Sequence, residues 1–151
     1  MPTYLSEEAL SALKSELETR KKITRGEIAE DIGAAKELGD ISENFEYQEA
    51  KERQSLNEAR IFEIEAMIHD TVIVEESTGG SVITLGTTFI VTVDGEEKTF
   101  PLVGSTEADP MSGRISNESP LGAAFFGRKV GDSVEIDVLS GKIVYTIIKI
   151  Q

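Results

Sequence analysis

The chain reads as an α+β protein in two consecutive parts. An N-terminal antiparallel α-helical coiled-coil hairpin is expected over residues 1–72 and a small α+β domain over residues 73–151. Three features support this. Apolar residues recur at three- and four-residue intervals before residue 71 and in β-branched runs after it. Glycine is sparse at first (only Gly26, Gly33 and Gly39) and common later, with ten of the 13 glycines beyond residue 70. Proline shifts in the same way, with Pro2 alone in the first part.

In the first helix Leu10, Leu13, Leu17, Thr24, Ile28, Ile32, Ala35 and Leu38 form a seam that skips one position at Lys21. Tyr47, Ala50, Gln54, Asn57, Ile61, Ile64 and Ile68 form the facing seam. Gln54 and Asn57 make it a partly polar one, which sets register at some loss of stability. Gly39 suits the end of a helix, and Asp40-Ile41-Ser42-Glu43 reads as a capping box opening the next. Helices of roughly 30 residues at 1.5 Å per residue give a rod about 45 Å long. Beyond residue 70, Thr71–Val74, Thr87–Val93, Lys98–Val103, Ser133–Val138 and Lys142–Ile150 read as strands. Asp94-Gly95 marks a hairpin between the second and third. Ser119-Pro120-Leu121-Gly122 leads into a short helix over Ala123–Phe126, ended by Gly127.

Composition removes several chemistries. The chain has no cysteine, hence no disulfide, thiolate metal site or cysteine nucleophile, and its single histidine argues against a His-built metal site or a Ser/His/Asp triad. With 15 basic against 28 acidic residues the net charge is −13, the wrong sign for binding nucleic acid by overall charge. The opening MPTYLSEEAL lacks the features of a signal peptide, and no apolar run approaches a membrane span. The expectation is a soluble, cytoplasmic protein.

The turn between the helices gathers acid: Asp40 and Glu43, with Glu46 one turn further. Residues three apart share a face, so both carboxylates can approach one cation. Acids at a helix N-terminus are also ordinary caps and dipole partners. Mg²⁺ is often held by one or two carboxylates together with groups from a substrate or partner. The pair therefore reads either as capping or as half a metal site completed elsewhere. Lys36, Lys51 and Arg53 flank the turn as a small basic patch or as ordinary surface ion pairs. His69 complements the dipole at the end of the second helix. Gly79-Gly80 is a loop without phosphate-binding spacing, and Asn117-Glu118-Ser119 is a chance glycosylation match. Of Phe125 and Phe126, at least one belongs to the core.

The run Gly39-Asp40-Ile41-Ser42-Glu43-Asn44-Phe45-Glu46-Tyr47, followed by Ala50-Lys51-Glu52, closely resembles the tip signature of the bacterial Gre transcript-cleavage factors. Ser119-Pro120-Leu121-Gly122 and Gly127-Arg128-Lys129-Val130-Gly131-Asp132 are similar to the C-terminal signature of that family, so the resemblance spans essentially the whole chain. It implies a coiled coil followed by an FKBP-like domain, a monomer that docks at the rim of the bacterial RNA polymerase secondary channel. The coiled coil enters the channel toward the 3′ end of backtracked nascent RNA. Asp40 and Glu43 would help hold a second Mg²⁺ shared with the polymerase, which then cleaves its own transcript; alone, the protein would carry no cofactor and no nuclease activity. Lys36, Lys51 and Arg53 would touch the extruded RNA, and Ser119, Pro120 and Leu121 would dock on polymerase. The acidic helical half resembles the less basic of the family's two branches. Phe45 stands where many members carry a smaller residue. Rival readings are a channel-blocking inhibitor and a prolyl isomerase built on the second domain. The intact acids disfavour the first, and the shortage of aromatics to line a pocket disfavours the second.

Overall fold

The computed structural model describes residues 2–76 and 80–151; Gly79, half of the Gly79-Gly80 loop expected above, lies outside the described residues. The chain divides into two compact units. Leu10–Asp70 forms one, and the segment through Ala9 joins Thr71–Gln151 to form the other. The N-terminal segment thus groups with the second compact unit. A three-residue strand there, β1 (Thr3–Leu5), pairs in parallel with β2 (Thr71–Ile73), Thr3 opposite Thr71 and Leu5 opposite Ile73. Leu5 is fully buried. Three residues are too few to show a period, and their partner is remote in sequence, so no local pattern reveals the strand.

Helix α1 (Glu7–Thr19) is capped by Ser6, whose Oγ accepts from the Ala9 N–H at 3.2 Å. The Ser6 N–H and hydroxyl donate in turn to the Glu107 carboxylate at 2.9 and 2.8 Å. A π turn (Arg20–Thr24) links α1 to α2 (Arg25–Lys36), and α3 (Phe45–His69) runs back antiparallel to them. The buried positions are Leu13, Ile28 and Ala35 on one side and Ala50, Asn57, Ile61 and Ile64 on the other. The α3 seam thus follows its sequence register. Leu38 does not follow: at 65% exposure it lies past the last turn of α2 and leaves the seam.

The skipped seam position has a structural cause. The π turn inserts one residue, so the Arg25 N–H bonds to the Arg20 carbonyl, five residues back. Arg20 then turns to the seam of the facing helix, while Lys21 pairs with Glu65 beside it. Arg20 Nη1 donates to Asn57 Oδ1 at 3.0 Å, while Asn57 Nδ2 reaches the Arg20 carbonyl at 3.4 Å. Glu16 completes the layer by accepting from Arg20 Nε at 2.7 Å and from Arg60 Nε and Nη2 at 2.9 and 3.0 Å. The Arg60 guanidinium foremost, with Arg20, holds the Glu16 carboxyl down to about 2, and Glu16 raises Arg60 in return. Around this layer run Arg25–Glu58, Lys21–Glu65 and Lys22–Glu18 pairs.

The second unit is organised on a five-stranded sheet in the order β5-β4-β3-β7-β6. Its strands are β3 (Thr88–Val93), β4 (Glu96–Val103), β5 (Ile115–Ser116), β6 (Ser133–Val138) and β7 (Gly141–Ile150). The β3–β4 and β6–β7 hairpins lie close to where the sequence puts them. Asp94 and Gly95 have φ of +52° and +79°, as a tight primed turn requires. Parallel pairing of the two-residue β5 with β4 was not legible. Strand β3 alternates, burying Phe89, Val91 and Val93, and a register shift against β7 falls between Ile90 and Val91. The core adds Ile83, Leu102, Ile115, Val134, Ile147 and Phe125, the last from helix α4 (Pro120–Phe125). Phe89, Phe100, Phe125 and Tyr145 stack on one another with ring centroids 4.8 to 6.3 Å apart, so these rings fill the core rather than line an open pocket.

Candidate functional site

The turn between α2 and α3 is tightly determined. Helix α2 unwinds through 3₁₀-type bonds, Glu37 N–H to the Ala34 carbonyl at 3.2 Å and Leu38 N–H to the Ala35 carbonyl at 3.1 Å. Gly39 follows with φ +144°. A single 3₁₀ turn (Ile41–Glu43) then closes on Asp40, whose carbonyl accepts from the Glu43 N–H at 3.3 Å.

The capping box expected at Asp40 through Glu43 is not the one formed. Asp40 Oδ1 accepts from the Ser42 N–H at 3.1 Å, a local Asx turn, and Asn44 caps α3, its Oδ1 accepting from the Tyr47 N–H at 3.1 Å. Asn44 Nδ2 also donates to the Ala35 carbonyl at the end of α2. One side chain therefore starts the returning helix and ties it to the outgoing one. The motif contained Asn44, but its role depends on a carbonyl nine residues earlier that only the folded hairpin brings within reach.

This geometry decides what the acids can do. In a 3₁₀ turn residues i and i+3 eclipse, which puts Asp40 and Glu43 on one side of the tip. Both are exposed, and neither forms an ion pair among the described residues. Two hard oxygen donors suit Mg²⁺ as part of a coordination sphere. No group of three or more acidic or histidine side chains among the described residues could complete one. The two carboxylates would supply part of such a sphere, the remainder coming from water or another molecule.

The flanking cations divide. Arg53 Nη2 lies 3.0 Å from Asp31 Oδ2, and Lys51 Nζ donates to Gln54 Oε1 at 2.8 Å. Lys36, exposed in the last turn of α2, has no carboxylate within ion-pair distance among the described residues. Of the three expected contacts, only Arg53 has its charge paired; Lys51 bonds a neutral amide, and Lys36 and Lys51 both remain without a carboxylate partner among the described residues. His69 is exposed in the last turn of α3, where a cation complements the dipole.

In the second unit Ser119 caps α4: its Oγ accepts from the Gly122 N–H at 3.0 Å and donates to the Ser116 carbonyl at 2.7 Å. Pro120 occupies the first turn and is exposed; Leu121 is half-buried against the core. A Cβ on Gly122 would sit 1.9 Å from the Ser116 carbonyl oxygen, so no other residue permits this close packing. Beyond α4, Phe126 and Val130 are 53% and 55% exposed, with the exposed cations Arg128 and Lys129 between them in sequence. Among the described residues no helix is long and apolar enough to cross a membrane.

Comparison with known proteins covers nearly the whole chain. The N-terminal model of transcription elongation factors matches residues 3–73, and the GreA/GreB C-terminal model matches residues 70–151. The transcription elongation factor GreA of Chloroflexus aggregans is 46% identical over 99% of this chain and 98% of its own length. GreA of Bacillus velezensis is 43% identical over 97% of this chain and 95% of its own. The crystal structure of GreA factor homolog 1 (Gfh1) of Thermus thermophilus aligns with 27% identity over 100% of this chain and 99% of that one, at a TM-score of 0.45. With both halves matched by paired models and its relatives aligned almost end to end, the chain belongs to the GreA/GreB family of transcription elongation factors.

Proposed function

We propose that this protein enters the secondary channel of bacterial RNA polymerase and stimulates the polymerase to cleave its own backtracked transcript. The protein itself is not the hydrolase. The observation that carries this reading is the tip: two exposed carboxylates on one side of a turn whose backbone is fixed by Asn44. Asp40 and Glu43 are the residues that would hold a Mg²⁺ shared with the polymerase. Such an ion, when bound, lowers the pKa of water and stabilises a leaving oxygen. The Ser42 N–H engages Asp40 Oδ1, which leaves Oδ2 without a hydrogen-bond partner among the described residues. Asn44 holds the turn, so little ordering is required when the tip arrives, and preorganised charge is the efficient kind. Lys36 and Lys51 are the cations best suited to an RNA phosphate; Arg53 would first have to leave Asp31. Docking at the channel rim falls to the α4 end of the second unit. Ser119 sets the helix there, Pro120 is presented on the surface, and Leu121 anchors the helix to the core.

The test is a halted, backtracked elongation complex with end-labelled RNA and Mg²⁺. Shortened RNA with the wild type, lost with Asp40→Asn and with Glu43→Gln, supports the proposal. Slowed elongation without shortening would instead identify a channel-blocking inhibitor.

A further inference from the structure

The tip carries a side chain that folding does not explain. Phe45, the first residue of α3, is 83% exposed, and no aromatic ring pairs with it among the described residues. It does not pack against the facing helix, and phenylalanine is a poorer helix former than alanine. Its place is nevertheless fixed, since it directly follows Asn44, whose side chain is bonded to both helices. It stands two residues beyond Glu43, among exposed polar neighbours: Ser42, Glu43 and Glu46.

We infer that Phe45 is a platform on which the unpaired 3′-terminal base of the extruded RNA stacks, making it a positioning residue for the cleavage proposed above. The inference rests on that reading. Its physical basis is a conflict at the tip. Two carboxylates placed for metal chemistry repel the RNA backbone, and of the three cations flanking the turn Arg53 is already paired with Asp31, which leaves Lys36 and Lys51 to offset them. Stacking on a neutral ring holds a nucleotide without charge and tolerates any base. A protein-docking patch would need a contiguous apolar area. Phe45 is set among acids and hydroxyls, with exposed Leu38 across the turn as the other large apolar side chain whose placement is described there.

The measurement is single-turnover cleavage in backtracked complexes over a range of factor concentrations. It uses wild type, Phe45→Ala, Phe45→Leu, Phe45→Tyr and Asp40→Asn, on RNA ending in a normal or an abasic 3′ nucleotide. With the normal end, Phe45→Ala and Phe45→Leu should lower the saturating rate about tenfold without changing the half-saturating concentration, while Phe45→Tyr keeps the wild-type rate. With the abasic end, wild type and the three Phe45 variants should cleave alike. Full rescue by Phe45→Leu, or a shift in half-saturation at unchanged maximal rate, would overturn stacking in favour of an apolar contact with polymerase. A wild-type rate for Phe45→Ala alongside an inactive Asp40→Asn would end the stacking inference and leave the cleavage proposal standing. An active Asp40→Asn would end both.

Discussion

The middle of the helical unit and its tip both use carboxylates and an asparagine at a break in the helix, and they use them oppositely. In the middle, Glu16 is surrounded by Arg20 and Arg60, and Asn57, 3% exposed, satisfies a backbone carbonyl and a guanidinium at once. Every charge there has a partner, as burial demands. At the tip the asparagine is committed, to the Tyr47 amide and the Ala35 carbonyl, and Asp40 engages only the Ser42 amide, through Oδ1. The acids beside it have no cationic partner among the described residues. The difference separates structural polarity, which is consumed internally, from polarity held in position for something else.

Breaking that contrast most severely means removing both tip acids. Asp40→Asn combined with Glu43→Gln should reduce transcript-cleavage stimulation by about a hundredfold or more. Unfolding free energy should change by no more than about 0.5 kcal/mol, as is typical of surface changes, read by circular dichroism. Asn57→Ala should show the reverse pattern: about 2 kcal/mol lost in urea unfolding, with stimulation by the folded protein unchanged at saturating concentration. If Asn57→Ala abolished stimulation without loss of stability, the middle layer would have a direct role and the contrast would fail. Asn44→Ala tests the one residue that belongs to both categories. A stability loss of about 1 kcal/mol, faster hydrogen exchange at the Tyr47 amide and a severalfold fall in stimulation are expected together.

The smallest effect is a pH dependence. The folded-state value for Glu16 is about 2, below its ordinary 4.5, because the arginines favour the charged form. Its contribution is therefore fully present above about pH 4.5 and is lost as pH falls toward 2. The carboxylate is 32% exposed, so screening reduces that contribution to about 1 kcal/mol. Acid unfolding between pH 5 and 2 should be shallower for Glu16→Gln than for wild type.

Legibility in the sequence followed the range of the interactions. The α3 seam from Tyr47 to Ile68 and the Asp94-Gly95 hairpin depend on neighbours a few residues away, and both can be read directly. Strands β1 and β5 are short and pair in parallel with remote segments, so neither has a local signature. The π turn appears in sequence only as a missing seam residue, because what fills the gap is Arg20 turned by one inserted residue toward Asn57. At the tip the motif singled out Asp40 and Glu43. It misassigned the cap because Asp40 and Asn44 are both good cap formers, and the Ala35 carbonyl decides between them. Exposure of Phe45 was equally undetermined until the angle of the turn was fixed.

The parallel pairing of β1 with β2 has a consequence for synthesis on the ribosome. Strand β1 has no β2 partner until the entire helical unit has been translated and Thr71–Ile73 emerge. In the interval Leu5, fully buried in the finished protein, is solvent-exposed on a nascent chain. The intervening helices are local in contact and fast to form, so the hairpin can close first and bring its two ends together. That shortens the effective loop β1 must close and lowers its entropic cost. Slowing hairpin formation should therefore prolong the period in which the newborn N-terminus is open to chaperones and proteases.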